Sequence, residues 1–254
     1  MTTGMRIHSL AAVLLLTTAA GAARADEPTT VSVAPADTAA AGDPNLDRGF
    51  ILPTAMTQPA GSITYNNYEL LLHGVSYGIT DRWQLSATVL APIVREMPFV
   101  GFASLKGQIY RGERLHLALQ GSLGGAASTG DSRDGIMMGG LGALASLCVR
   151  QDCSSLLSAS ATYQFFGGSS DTDGGLIYGV SLVHRVGRHV KLLGELASAS
   201  VIDANEFGRD ALLSYGVRFY GGSLASDIGF MKPLGTDIGF LMGIPFASVS
   251  YRWQ

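Results

Sequence analysis

The chain has 254 residues, of which 47% are hydrophobic and only 15% are charged. Charged residues make up roughly 25–35% of an ordinary soluble surface, so this composition argues against a typical soluble globule. The net charge of −3 at pH 7 gives no support for nucleic-acid binding. Beyond the N-terminus no apolar run reaches the length of about 18 residues that a membrane-spanning helix needs.

The N-terminus has the features of a secretory signal peptide. Arg6 supplies a positive charge, residues 10–20 form an apolar run, and Ala23-Arg24-Ala25 fits a cleavage site between small residues. The apolar run is too short to cross a bilayer. We therefore predict a signal peptide over residues 1–25 and export of the mature protein.

Residues 26–60 precede the patterned part of the chain. Residues 26–48 are rich in Ala, Pro, Thr and Asp and lack periodicity, which is typical of a flexible segment. Residues 48–62 are more apolar but are interrupted by Pro53 and Pro59, so this part could form an ordered lead-in that packs against the patterned part. We predict a flexible periplasmic leader over residues 26–60.

From Gly61 onward, segments of about ten residues alternate between apolar and polar positions. Short and long connections also alternate, which is the hairpin rhythm of an antiparallel up-and-down β-barrel. With a break at Asn66-Asn67 the pattern gives about twelve strands, whereas about ten would follow if residues 61–79 formed one strand. We predict an all-β transmembrane barrel over residues 61–254. The short connections centre on residues 80–82, 111–114, 151–152, 187–188 and 221–222, and the longer ones on residues 92–99, 124–135, 167–175, 203–210 and 232–237.

The polar faces of these segments consist of small and mostly neutral residues. In residues 155–165 the polar positions are Ser158, Ser160, Thr162 and Gln164, and apolar residues alternate with them. A soluble sandwich would carry Lys and Glu on its polar side, because that side is its outer surface. An enclosed aqueous lumen needs only hydration and room. We therefore predict that the apolar faces point outward into lipid, where only a closed barrel satisfies every backbone hydrogen bond.

Aromatic residues lie near the ends of the predicted strands. Trp83, Phe219 and Trp253 adjoin short connections or the C-terminus, and Phe165 adjoins a long loop. Two such groups are typical of the aromatic girdles at the two interfaces of an outer membrane. We expect these four side chains to contact outer-membrane lipid at the level of the interfaces.

Two stretches resemble parts of known proteins. FASVSYRWQ (246–254) resembles the closing strand of bacterial outer-membrane β-barrel proteins, whose alternating aromatics are read by the barrel-assembly machinery. That strand usually ends in an aromatic residue, whereas here Gln254 follows Trp253. PAGSITYNNYELLLHGVSYGITDRWQLSATVLAP (59–92) resembles the opening of poorly characterised, porin-like barrels of Gram-negative bacteria. The resemblance covers residues 59–254, implies localisation in the cell outer membrane and assigns no substrate.

The alternation places a set of charged and polar side chains on the lumen side. Arg218 and Asp227 flank the Gly221-Gly222 turn and could pair across it. One hypothesis is a polar pathway whose charges select solutes, and the alternative is a plugged lumen whose charges pair and hold the barrel in shape. Eight-stranded barrels are filled by side chains and sixteen-stranded barrels leave a channel, so twelve strands fit either. The predicted lumen-lining residues are Lys106, Gln108, His116, Gln120, Lys191, Glu195, Arg218, Asp227 and Arg252.

The two cysteines, Cys148 and Cys153, have a spacing that could close as a disulfide across a tight hairpin in an oxidising compartment. Two unpaired thiols are the alternative. A zinc site would need two further ligands at suitable spacing. The acidic loop at residues 171–174 lacks the later Glu of an EF-hand. We predict no metal and no cofactor.

An enzymatic function has weak support in the sequence. His73, His116, His184 and His189 are available, but no Ser has a recognisable nucleophile context. GGLGALA (139–145) matches a dinucleotide-binding string but lies within a strand pattern. We predict that the protein is not an enzyme but a passive channel for small polar solutes. A structural or surface-interaction barrel with a closed lumen and a lipid-modifying enzyme are the alternatives.

Overall fold

The computed structural model of the protein describes residues 42–90, 99–127, 135–167, 172–201, 210–234 and 242–254. The predicted signal peptide, residues 26–41, the central parts of the longer connections and Asp171 of the acidic loop lie outside the described residues. None of the described residues belongs to a helix long and apolar enough to cross a membrane.

Twelve β-strands form one closed barrel. Each strand pairs antiparallel with its neighbours in chain order, and β1 pairs with β12 to complete the ring. The structure confirms the predicted all-β up-and-down barrel, with twelve strands rather than ten. In chain order the strands are β1 (Ile63–Tyr68), β2 (Leu72–Thr80), β3 (Trp83–Leu90), β4 (Phe99–Arg111), β5 (Leu115–Ala127), β6 (Gly135–Cys148), β7 (Leu156–Gly167), β8 (Thr172–Arg185), β9 (Val190–Val201), β10 (Asp210–Gly221), β11 (Leu224–Leu234) and β12 (Ile244–Trp253).

The first hairpin differs from the sequence prediction. Asn66 and Asn67 do not separate two strands, because both lie within β1 and pair with β2 and β12. The chain turns instead at Glu69 and Leu70, whose φ angles are 52° and 62°. Tight hairpin turns with positive φ normally contain Asn-Gly or Asp-Gly, so this Glu-Leu pair gave no turn signal in the sequence.

The strands turn their apolar faces outward and their polar faces inward, as the alternation predicts. In β12, Val249 and Trp253 are 48% and 50% exposed, whereas Ser250 and Arg252 are 0% and 2% exposed. The outer surface of the barrel is therefore apolar, and the packed interior is the lumen.

The two rims of the barrel differ in their connections. The start of β1 and the end of β12 lie at the same rim as the turns that follow β2, β4, β6, β8 and β10. We call this rim the short-turn end and the opposite rim the long-loop end. Trp83, Phe219 and Trp253 are exposed on the outer surface at the short-turn end, and Phe165 is exposed toward the long-loop end.

Candidate functional site in the lumen

Residues 43–58, which we call the plug segment, lie inside the short-turn half of the barrel. Asp43, Phe50 and Thr54 are 0% exposed, although the segment belongs to no strand of the ring. The prediction of a flexible leader is therefore wrong for these residues. The alternative of an ordered lead-in over residues 48–62 agrees better with the structure. Ion pairs and hydrogen bonds to the barrel wall fix the segment in place.

The plug segment folds into a tight loop of its own. The N–H of Thr54 donates to the carbonyl of Asp47 at 3.0 Å, and the N–H of Gly49 donates to the carbonyl of Leu52 at 2.8 Å. The loop carries Phe50 at its tip. The charged side chains of this loop and its backbone groups both contact the barrel wall.

Asp43 anchors the start of the plug segment among three cations of the wall. Its Oδ2 lies 2.6 Å from Lys191 Nζ and 3.3 Å from Arg218 Nη1. Arg252 Nη1 donates to the backbone carbonyl of Asp43 at 3.3 Å. Burial alone would raise the pKa of the Asp43 carboxyl, but Arg218 and Lys191 outweigh burial and bring this pKa below its usual range. Asp43 is therefore held ionised inside the lumen.

Arg218 joins the wall to the plug segment. Its Nε and Nη2 donate to the two oxygens of Asp227 at 2.7 and 3.0 Å, so the pair predicted across the Gly221-Gly222 turn is present. The same guanidinium donates to the carbonyl of Asn45 at 2.8 Å and to the carbonyl of Gly49. Arg218 and Asp227 are both 0% exposed. Breaking a buried pair by removing one partner is strongly destabilising.

Arg48 approaches the same wall carboxylate from the plug segment. Its Nη1 lies 3.1 Å from Asp227 Oδ2 and donates to the carbonyl of Phe50 at 2.6 Å. Its Nη2 donates to the hydroxyls of Ser248 and Ser250, each at 3.2 Å. Asp227 thus lies between one arginine of the wall and one of the plug segment.

Glu195 receives the tip of the loop. Its carboxylate accepts hydrogen bonds from the N–H groups of Phe50, Ile51 and Leu52 at 2.5, 2.8 and 3.2 Å. Successive backbone N–H groups directed at one anion form a concavity that favours negative charge. Here the wall supplies the anion and the plug segment supplies the concavity.

Wall residues on the side of the lumen opposite Glu195 bind residues 47–55 of the plug segment. Lys106 Nζ donates to the carbonyl of Asp47 at 3.0 Å, and Gln84 Nε2 donates to the carboxylate of Asp47 at 2.5 Å. Gln108 Nε2 donates to the carbonyl of Ala55 at 3.1 Å. The plug segment is therefore bonded to both sides of the barrel and spans the lumen between them.

Inward-facing glycines of the wall leave room for the plug segment. A Cβ atom at Gly229 would lie 2.9 Å from Phe50 Cζ, and one at Gly216 would lie 3.0 Å from Phe50 Cε2. A Cβ atom at Gly179 would lie 2.6 Å from Leu52 Cδ1. Any side chain at these positions would collide with the plug segment, so the wall is shaped to receive it.

The long-loop half of the lumen is different. Phe102, Ile136 and Ile177 point inward by alternation but remain 41%, 51% and 37% exposed. Among the predicted lumen-lining residues Gln120 faces inward and is half-buried, whereas the other eight are at most 5% exposed. Within the described part of the chain, the plug segment closes the short-turn half and the long-loop half forms a vestibule.

Cys148 and Cys153 form a disulfide across the turn that follows β6. His116 Nε2 lies 3.9 Å from Cys153 Sγ. The possible ligand atoms of these three residues lie within 4.8 Å of one another. Because the two sulfurs are bonded to each other, they are not available as the thiolates that bind metals.

Sequence reasoning missed the charged residues of the plug segment, Asp43, Asp47 and Arg48. Charge balance is the signal that could have found them. The predicted lumen-lining residues include four Lys or Arg but only two carboxylates, and buried charges need partners. The stretch DPNLDR (43–48) offers two further carboxylates just ahead of the barrel.

Among known proteins, this chain shows distant similarity to solved structures. No protein-family model matches the sequence, and no curated protein matches it. Among solved structures, the chain is similar to CdiB from Acinetobacter baumannii, with a TM-score of 0.33 and 8% sequence identity. The similarity covers 76% of this chain and 59% of the CdiB chain, so this chain spans less than two thirds of that protein's length.

Proposed function

We propose that this protein is an outer-membrane barrel that admits small polar solutes and is closed at rest by its own plug segment. A single observation carries the proposal, namely a polar lumen filled across its short-turn half by residues 43–58, which are buried and ion-paired to the wall. A passive channel for small polar solutes, the function expected from the sequence, would conduct only after this segment leaves the short-turn half of the lumen. The proposed pathway for solutes is therefore gated by movement of the plug segment.

The apolar outer surface supports a location in the outer membrane. Leu119, Leu141 and Val180 are 52%, 66% and 50% exposed on this surface, and lipid is the solvent that such a surface requires. The predicted signal peptide and the closing strand β12, through which the assembly machinery would act, support the same location.

The polar character of the wall supports displacement of the plug segment. The hydroxyls of Ser146, Ser248 and Ser250 accept hydrogen bonds from the plug segment, and a wall of hydroxyl groups can be hydrated when the segment leaves. The Asn45 side-chain amide has no hydrogen-bond partner among the described residues. A buried unsatisfied polar group costs about 1–3 kcal/mol, and water would satisfy it in the displaced state.

A structural or surface-interaction barrel is the second candidate. The buried ion pairs of Asp43, Arg218 and Asp227 favour it, because such pairs would hold the lumen closed permanently. Among the described residues, the side-chain contacts of three candidate histidines give a lipid-modifying enzyme no support: His73 contacts Tyr65, His116 contacts Gln108, and His189 contacts the Tyr220 carbonyl.

Liposome swelling separates the two candidates. The folded chain and an Arg48→Ala variant are reconstituted, and Arg188→Ala, which removes an exposed turn arginine, is the matched control. We expect slow entry of small sugars with the wild type and the control, and faster entry with Arg48→Ala. Equal, fast entry in all three proteins would show that the plug segment does not close the lumen. A folded Arg48→Ala barrel without entry would favour the structural role.

A further inference from the structure

We infer that the wall residues Lys191, Arg218 and Arg252 form an anion-binding site, which Asp43 occupies in the closed state, and that the solutes admitted on opening carry a carboxylate or phosphate. The inference rests on the proposed function, because it names the class of solute that the gated lumen would admit.

Three cations from separate strands converge on one aspartate. Lys191 and Arg218 are register partners on β9 and β10, and both reach the same carboxylate oxygen of Asp43, at 2.6 and 3.3 Å. Arg252 on β12 binds the backbone carbonyl of the same residue. The carboxylate belongs to the plug segment and therefore leaves with it, whereas the cations belong to the strands and stay.

The charge of the wall at this level supports an anionic solute. The described wall residues that contact the plug segment include four cations, Lys106, Lys191, Arg218 and Arg252, and two carboxylates, Glu195 and Asp227. Asp227 stays paired with Arg218 when the plug segment leaves, because both are on the wall. The remaining balance is positive, and rings of Lys and Arg select for anions in pores.

The plug segment mimics the solute that it excludes. Its Asp43 supplies a carboxylate to the cationic site, and the two oxygens of a carboxylate or phosphate match the donors of an arginine. A free anion would compete with Asp43 for Lys191, so binding of the solute and opening of the lumen would be coupled.

The test uses the full-length chain with Asp43→Asn, which removes only the charge of the occupant. Chloride and potassium permeabilities are measured from reversal potentials in planar bilayers under a KCl gradient, with Arg48→Ala as a second open background. We expect chloride to be preferred by about threefold, which corresponds to a potential of roughly half of kT per unit charge in the lumen, because the same potential favours chloride and disfavours potassium. Adding Lys191→Gln should bring the ratio toward one, whereas adding Arg188→Gln in the exposed turn should leave it unchanged.

A binding measurement tests the site without conduction. Inorganic phosphate should raise the unfolding temperature of Asp43→Asn by about 3 °C at about ten times its dissociation constant. Sodium chloride of equal ionic strength should not do so, and wild type and Asp43→Asn/Lys191→Gln should show no shift. Conductance without anion preference, or no phosphate shift in Asp43→Asn, would overturn the inference and leave the gated lumen standing. Phosphate stabilisation without conductance in either open background would support the site and contradict the gated channel.

Discussion

Replacing Arg218 by lysine should open the lumen while keeping its charge. The guanidinium donates two hydrogen bonds to Asp227 and others to Asp43 and to the carbonyls of Asn45 and Gly49. A lysine has three donors on one nitrogen and cannot reproduce the planar fork. If the lysine keeps its ion pair with Asp227 and one hydrogen bond to the plug segment, about two hydrogen bonds to the segment are lost. At about 1–1.5 kcal/mol each, the closed state loses about 2–3 kcal/mol.

This loss corresponds to a change of about 30- to 150-fold in the ratio of closed to open states. Single-channel recording in planar bilayers measures that ratio as the open probability. The matched control is Arg185→Lys, because Arg185 pairs with Asp152 at the rim, 3.3 Å away, and is bonded to the turn rather than to the plug segment. Two results would show that Arg218 does not hold the lumen closed. One is an open probability of folded Arg218→Lys within about twofold of wild type, which corresponds to only about 0.4 kcal/mol, and the other is an equal rise in the control.

We expect three further outcomes. Phe50→Ala removes a ring that packs against Gly216, Gly229 and Phe246, with 4.7 Å between the centroids of the two phenyl rings. This change should destabilise the closed state by about 3 kcal/mol and raise the conductance. Phe219→Ala on the outer surface should do neither. Replacing Cys148 and Cys153 by serine removes the disulfide, which joins residues separated by 5 in the sequence. The free energy of unfolding should fall by about 2 kcal/mol and the unfolding temperature by several degrees. An unchanged unfolding temperature would contradict a formed disulfide. Trp83 and Trp253 are the two tryptophans, and both face outward at the short-turn end. Brominated lipids should therefore quench their fluorescence more strongly when the bromine lies near the headgroups than when it lies at the bilayer centre. The reverse order would contradict a short-turn end at the level of the headgroups.

The ring of strands could be predicted from the sequence because period-two alternation is a local signal. Small polar residues recur at every second position in the middle of β7 and β12, and the structure buries Ser158 in β7 and Ser248 and Ser250 in β12 on the inner face. The five short turns could also be predicted, since each contains Gly or Asp. The turn at Glu69 and Leu70 was not visible, because neither residue type normally adopts the positive φ that it has here.

The plug segment could not be predicted from local pattern. Residues 43–58 have no periodicity, and the contacts that order them join distant parts of the chain, such as Asp43 and Arg218 at a separation of 175 residues. The cations of the lumen were identified from alternation alone. Asp227, the wall partner of Arg218, was identified as well. The partners in the plug segment were not, because no alternation or turn rule connects a leader to the inside of a barrel.

Backbone hydrogen exchange of residues 49–55 in the folded chain, measured in lipid, tests closure of the lumen by the plug segment most directly. The N–H groups of Phe50, Ile51 and Leu52 are bonded to Glu195, and the N–H of Ala55 is bonded to Ser146 Oγ at 2.9 Å. A docked plug segment should therefore exchange slowly, at rates comparable with those of the neighbouring strands. Complete exchange within seconds, at the rate of an unprotected peptide, would contradict closure of the lumen by residues 43–58.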